Sequence, residues 1–410
     1  MKSVDAFNFM DGATLENPYE FYQAAIAQAP VYHVPDTDIF LVTRHDLICR
    51  AARDTVTFSS KWGHKMRGDA LLDPDVKAEM AKGWLHCDTL ITNDPPSHTR
   101  FRSLVNAAFS RPRVQAIEAT IAEAVNRAVD ALLDKGEVEF INDFAAPIPL
   151  SVIAGILGCP FEMQSTFKRW SDAVMLLLGG FGSKEQNISA AQAFVEFQHY
   201  FKGLIDQRRV DASFSDLTCS LVHARVAGER PLDDRELLNV LEALLVAGNE
   251  TTTAMFGHGM KLLVEHPDVL GRVKNDPALI PTMIEEVLRY SSPASGLWRV
   301  VTRDTELGGV AIPEGAMLHL RYAAANRDPE VFENPDQFDI DRPNLQKHLA
   351  FGHGSHFCIG NMLARKELVV GFGILLERVK RFEFIPGKND FRHNPSLLAR
   401  GLEELHIRVE

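Results

Sequence analysis

The chain has 410 residues, 46% hydrophobic and 24% charged, which excludes a disordered or low-complexity polymer and leaves an ordinary globular composition. A formal net charge of −12, with 55 acidic against 43 basic residues, excludes a protein that coats nucleic acid. Five cysteines (Cys49, Cys87, Cys159, Cys219 and Cys358) are scattered, odd in number and unpaired by spacing, which fits a reducing cytoplasm.

In chain order, the N-terminal stretch has no apolar run long enough for a signal-peptide core, and nothing further on approaches a membrane span. The expectation is a cytoplasmic protein with no membrane or nucleic-acid partner. A short strand signal, DIFLVT, lies at 38–43, followed by an irregular stretch at 60–93. PPSHTRFR at 95–102 opens on two prolines that suit a helix start and places His98 and Arg102 at i and i+4 on one face. Helical spacing runs over 113–136 and stops at Gly136. Residues 232–266 form a mostly apolar helix, longer than is usual, expected to run through the middle of the molecule. Helices at 279–292 and 359–380 alternate with strand signals at 297–302, 316–320 and 404–409. Between 326 and 358 lies a Pro/Asp/Asn/Gly-rich meander, too long for an idle connection. No Ser/Gly linker divides the chain, so the fold class expected is mainly α with a small β portion, in one domain over 1–410.

Chemistry concentrates at FGHGSHFCIG, 351–360. A disulfide asks for none of this, and a structural zinc site would want more ligands at short spacing. A thiolate serving as a single axial ligand to iron needs a tight, flat approach, which Gly352, Gly354 and Gly360 permit, and shielding, which Phe351 can supply. The helix after Cys358 turns its N-terminal dipole toward the anion. Two further motifs stand apart from that loop. Glu286 and Arg289 share a helix face and can pair, a spacing common among surface residues, and PDQFDIDR at 335–342 lies in the meander. In LLVAGNETTT, Gly, Asn and Glu interrupt an apolar helix at a cost, and Leu244, Ala247, Gly248 and Thr251 fall on one stripe.

The spacing of Phe351, Gly354, Cys358 and Gly360 resembles the cysteine signature of the cytochrome P450 family, the haem-thiolate monooxygenases, and its soluble bacterial branch in particular. The likeness extends from DPPSHTR to the terminal RGLEELHI, with His406 where a proline is more usual. It implies the cytochrome P450 fold, with the long central helix over haem b and Cys358 as the iron ligand. It also implies Phe351 and Gly360 in the cofactor loop, and His98, Arg102, Arg299 and His356 on the haem propionates. Ala247 to Thr251 match the family's acid–alcohol motif, which makes Glu250 and Thr251 the proton-delivery pair, with Glu where Asp is commoner. The substrate cavity then draws on Trp84, Leu85, Leu90, Val174, Met175, Leu178, Leu244, Ala247, Ser295, Leu297, Leu398 and Ala399, nearly all apolar. A compact, uncharged, apolar substrate is expected, hydroxylated with O2. The chain carries no flavin or cluster-binding segment, so the partners implied are a [2Fe–2S] ferredoxin and an NAD(P)H-dependent ferredoxin reductase, serving a monomer. Arg100, Arg111, Arg113, Arg365 and Lys366 are the docking cations expected. Two alternatives remain: a peroxide-driven haem hydroxylase and a non-catalytic haem protein that binds a ligand. Glu250 and Thr251 argue against both.

Overall fold

A computed structural model describes residues 1–63, 73–106, 115, 117–179, 182–226, 228–394 and 396–410, with the backbone alone at 161, 178 and 179. The chain divides into two compact units, one of residues 1–59, 118–148 and 250–410, the other of 60–117 and 149–249.

Among the described residues the first unit holds all the strands: β1 (Val31–His33), β2 (Ile39–Val42), β3 (Phe58–Ser59), β4 (Glu137–Glu139), β5 (Leu297–Val301), β6 (Thr305–Leu307), β7 (Val310–Ile312), β8 (Met317–Leu320), β9 (Phe382–Phe384) and β10 (His406–Val409). Its main sheet has the order β1-β2-β8-β5-β3, in which β2 and β8 run parallel and the other neighbours antiparallel. Residues such as Phe40, Val42, Leu318, Leu320 and Val301 project from one side into an apolar cluster shared with Leu47, Ala51, Ala52 and Tyr322. A second sheet, β4-β10-β9, begins its last strand at His406, which pairs with Glu139, so the unusual histidine does not shorten that strand.

Helix α1 (Glu118–Lys135) packs against α2 (Asn361–Arg378), and Lys366–Glu118 and Arg378–Asp130 ion pairs at 2.8 and 2.6 Å decorate the seam. The start of α1 lies inside the expected 113–136 span; 113, 114 and 116 fall outside the described residues. The long apolar helix is observed as α3 (Asp234–Glu265). Its contact with α2 depends on two glycines. A Cβ at Gly371 would stand 2.5 Å from the Phe256 ring, and one at Gly259 would stand 2.5 Å from Phe372. Neither contact carries a local sequence signal.

The second unit is helical. Its longest helix, α4 (Lys184–Val210), begins at a capping box in which Ser183 and Gln186 satisfy each other's backbone N–H groups. The S-x-x-Q spacing is a readable start signal that the sequence analysis passed over. Helix α5 (Gln164–Gly179) lies along α4, with Trp170 against Phe197, Tyr200 and Phe201. Ser171 of α5 accepts a 3.4 Å hydrogen bond from Asn249 of α3. The mid-helix Asn is therefore a buried packing partner.

Candidate active site

Cys358 sits half-buried at the end of a turn whose shape its neighbours impose. Gly352 and Gly354 have φ of +73° and +74°, the left-handed region that costs a side chain dearly. Gly354 is further constrained, since a Cβ there would lie 2.6 Å from the Ala52 carbonyl oxygen. Gly360 is different. Its φ is −82°, and a Cβ would meet nothing of the chain nearer than Cys358 Sγ at 4.0 Å. The backbone still turns at Ile359–Gly360, in a conformation that does not itself require glycine. The Cys358 N–H donates to the Phe351 carbonyl at 2.8 Å, and Asn361 Nδ2 donates to the Cys358 carbonyl at 2.7 Å. The Phe351 ring is stacked under the Arg365 guanidinium at 4.3 Å.

Beneath this turn the Glu286–Arg289 pair is fully buried, with bonds of 2.6 and 2.7 Å. Arg342 approaches the same carboxylate at 3.5 Å, and the Asp339 N–H donates to it at 2.8 Å. Arg289 spends its remaining donors on the carbonyls of Asn326, Pro335 and Gln337, which ties the meander to the helix Ile280–Tyr290. Next to it, burial pushes the Glu285 carboxyl up, but Arg365 and His348 overcome that and hold it at about 2.

Arg299 on β5 is only 1% exposed, opposite Leu318 and on the apolar side of the sheet. Its Nη1 donates to the Trp298 carbonyl at 2.7 Å; Nε and Nη2 have no partner among the described residues. The Tyr322 hydroxyl lies beside it, with no well-aligned hydrogen bond among the described residues; burial pushes its phenol up, and the charge and polar contact of Arg299 partly offset this. A guanidinium held this way in an apolar cluster is costly without an anion.

On α3, Glu250 and Thr251 are half-buried and Ala247, one turn earlier, is exposed although Leu244 and Leu245 beside it are buried. Gly248 departs from the expected stripe, since its Cβ position faces Ile153 at 3.4 Å. Ser295 is buried, and its N–H donates to Leu398 O at 2.8 Å while Ala294 bridges Ala399, so these two expected cavity stretches meet. Leu297 is half-buried beside them.

The remaining predicted residues lie in the second unit. His98, 2% exposed, and Arg102 occupy the helix Ser97–Asn106. Trp84 has its ring 5.2 Å from His199 of α4, and its backbone exchanges two hydrogen bonds with Gln198. Leu90 and Val174 are buried, Met175 is half-buried, and the Leu178 side chain is outside the described residues. Leu85 is 75% exposed and faces solvent, contrary to the cavity role expected for it. Among the docking cations, Arg100 is also corrected. Its side chain is 10% exposed and neutralised by Glu236 at 2.9 Å. Arg365 is taken by Glu285 and Lys366 by Glu118, while Arg111 and Arg113 lie outside the described residues. Arg50 and Arg53 were missed. Both are exposed, without an ion pair among the described residues, on the helix His45–Arg53 that packs on the Gly354–His356 turn. Only the tertiary contact reveals them.

No helix among the described residues is long and apolar enough to cross a membrane. The family model for cytochrome P450 matches residues 68–399. Cytochrome P450 107B1 of Saccharopolyspora erythraea is 35% identical over 408 residues, covering 97% of this chain and 96% of that protein. The steroid C26-monooxygenase of Mycobacterium tuberculosis is 37% identical over 318 residues, covering 78% of this chain and 85% of that protein. Among solved structures, the P450 heme domain of Tepidiphilus thermophilus superposes with a TM-score of 0.90 at 28% identity, covering 98% of this chain and 96% of that one. With a family match over most of its length, a fold shared with solved members and a thiol in a purpose-shaped turn, the chain belongs to the cytochrome P450 family of haem b monooxygenases.

Proposed function

We propose that the chain hydroxylates a small, neutral, apolar organic substrate, with Cys358 as the thiolate ligand of haem b. The observation that carries this reading is the Cys358 turn, built on the two left-handed glycines Gly352 and Gly354 and closed by the Cys358 N–H bond to the Phe351 carbonyl. The residues fit the group. Arg299 offers two buried, unpartnered donors to a haem propionate, with His356 in the thiolate turn as a second propionate partner. His98 and Arg102 are further propionate partners on the strength of their motif. When bound, the haem supplies O2 activation, favoured by electron donation from the thiolate. The protein's part is to orient substrate, exclude water and hold protons at the Glu250 carboxyl and the Thr251 hydroxyl. The family match runs through residues of both units, which supports one working domain.

The test is spectroscopic. Reduced protein with carbon monoxide gives the red-shifted Soret band of thiolate ligation; a histidine-type band in folded protein overturns the assignment. Thr251→Ala is expected to keep consuming reductant while releasing peroxide in place of product. Unchanged coupling would remove Thr251 from the proton route.

The apolar character of Val174, Ala247, Leu297, Leu398 and Ala399 favours a neutral substrate, and the similarity to a steroid C26-monooxygenase points the same way. Small carboxylates that shift the haem spin state better than neutral terpenoids, steroids or aromatics would count against it. Electrons are proposed to come from a ferredoxin and its NAD(P)H-dependent reductase in the cytoplasm, docking on Arg50 and Arg53 beside the thiolate turn. Reversing both to Glu is expected to slow first-electron transfer and flatten its salt dependence, with substrate binding intact.

A further inference from the structure

The first unit contains a cavity of about 570 Å³ to which neither the 351–360 turn nor Glu250 and Thr251 contributes. Its walls include Tyr19, His258, Tyr290, Phe391, His393 and Arg400. His258 lies on α3 seven residues beyond Thr251, about 10 Å along the helix axis. This volume falls within the range of small-molecule sites.

Arg400 is the group that needs explaining. It is 7% exposed, so its charge is nearly all buried. Its Nη2 donates to the Glu16 backbone carbonyl and to His393 Nδ1, both at 3.2 Å, and Nε has no partner among the described residues. No carboxylate among the described residues pairs with it. Of the acids in the wall, Asp336 pairs with Arg327 and Gln23, Glu265 with Lys261 and Asp390 with Arg392, and Glu16 meets Arg400 through its backbone carbonyl. Arg327 in turn spends its Nε and Nη2 on the Tyr290 carbonyl.

His258, 2% exposed, shares the predicament. Its Nδ1–H donates to the Ser291 carbonyl at 2.9 Å, while Nε2 is unpartnered among the described residues. The electrostatic signs agree. Burial, then Arg400, pulls His258 well below the ordinary histidine range, and burial, Arg400 and Lys261 hold His393 at about 3. Burial pushes the Tyr19 phenol up, but Arg400 and Arg327 bring it below its usual value. The cavity therefore holds one buried guanidinium, Arg400, that pairs with no carboxylate among the described residues, beside the rings of Tyr19, Tyr290 and Phe391. A buried cation in that state gains most from a desolvated carboxylate, and Tyr19, Tyr290 and Phe391 give a flat apolar group something to pack on.

We propose that this cavity binds a small aromatic carboxylate, with the carboxylate on Arg400 and the ring against Tyr19 and Phe391. The haem-loaded full chain is titrated calorimetrically with benzoate and with neutral benzamide while the Soret band is followed. Benzoate is expected to bind without a spin shift, benzamide about tenfold more weakly or worse, and Arg400→Gln to weaken benzoate about tenfold or more. Absence of benzoate binding, equal binding of benzamide, or an undiminished affinity in Arg400→Gln overturns the assignment. A spin shift that tracks the heat places benzoate at the haem and overturns it equally. Should Arg400→Gln fail to fold, Tyr19→Phe serves, because it removes one hydroxyl from the wall and keeps the ring. It is expected to weaken benzoate about threefold, and an unchanged affinity there counts against the site.

Discussion

Arg289 and Arg299 lie in the same unit, both essentially inaccessible to solvent, yet they are opposites. Arg289 makes five hydrogen bonds, two to the Glu286 carboxylate and three to meander carbonyls. Arg299 makes one, to the carbonyl of its own neighbour. The comparison separates a buried charge satisfied within the fold from a buried charge left with donors to spare, the one proposed above to meet a haem propionate. Burial alone would class the two together; only the donor inventory distinguishes them.

The largest effect is expected at the satisfied site. Arg289→Met leaves Glu286 buried with only the Asp339 N–H and the more distant Arg342 and cuts the meander loose, so unfolding free energy should fall by about 3–5 kcal/mol in urea titrations. A loss under about 1 kcal/mol would mean that the network is dispensable and the contrast with Arg299 empty. The neighbouring carboxylate sharpens the same point through pH. Glu285, held at about 2 by Arg365 and His348 against the desolvation that raises it, has a folded pKa below its unfolded value. Its contribution is thus present above roughly pH 4.5 and lost as pH falls toward 2. That amounts to about 3 kcal/mol of acid sensitivity, which Glu285→Gln should abolish.

The smallest effect on stability should come from Arg299. In the haem-free protein, Arg299→Met removes a poorly partnered buried charge, so stability is expected to change by less than about 1 kcal/mol, or to rise. In the loaded protein the same variant should lose haem faster to an excess of a competing apo-globin. A haem-free variant destabilised as strongly as Arg289→Met would place Arg299 in the structural class and break the comparison.

How much of this was legible follows from the range of each interaction. The Cys358 turn is a ten-residue pattern whose left-handed glycines are local, so it could be read directly, although Gly360 itself adopts a negative φ open to other residues. Helix α3 and the Glu286–Arg289 spacing are likewise local periodicities. Arg100 was misread as a docking cation because its partner Glu236 is 136 residues away and no short-range signal joins them. Leu85 was misread because an apolar residue in an irregular stretch carries no indication of which way it faces. Arg50 and Arg53 escaped notice for the same reason in reverse. Their relation to the thiolate turn rests on the close approach of Gly354 to Ala52, some 300 residues apart in the chain.

The sequence by itself determined the helical character, the small β portion and the glycine-built turn at Cys358, because hydrophobic period, glycine conformation and motif spacing act over a few residues. Tertiary structure alone decided the parallel pairing of β2 with β8, the Gly259 and Gly371 contacts between α3 and α2, and the assignment of each cation to a fold, a cofactor or a second cavity. Whether a charged donor has a partner depends on atoms brought together from distant parts of the chain, and that accounting closes only when the chain is folded.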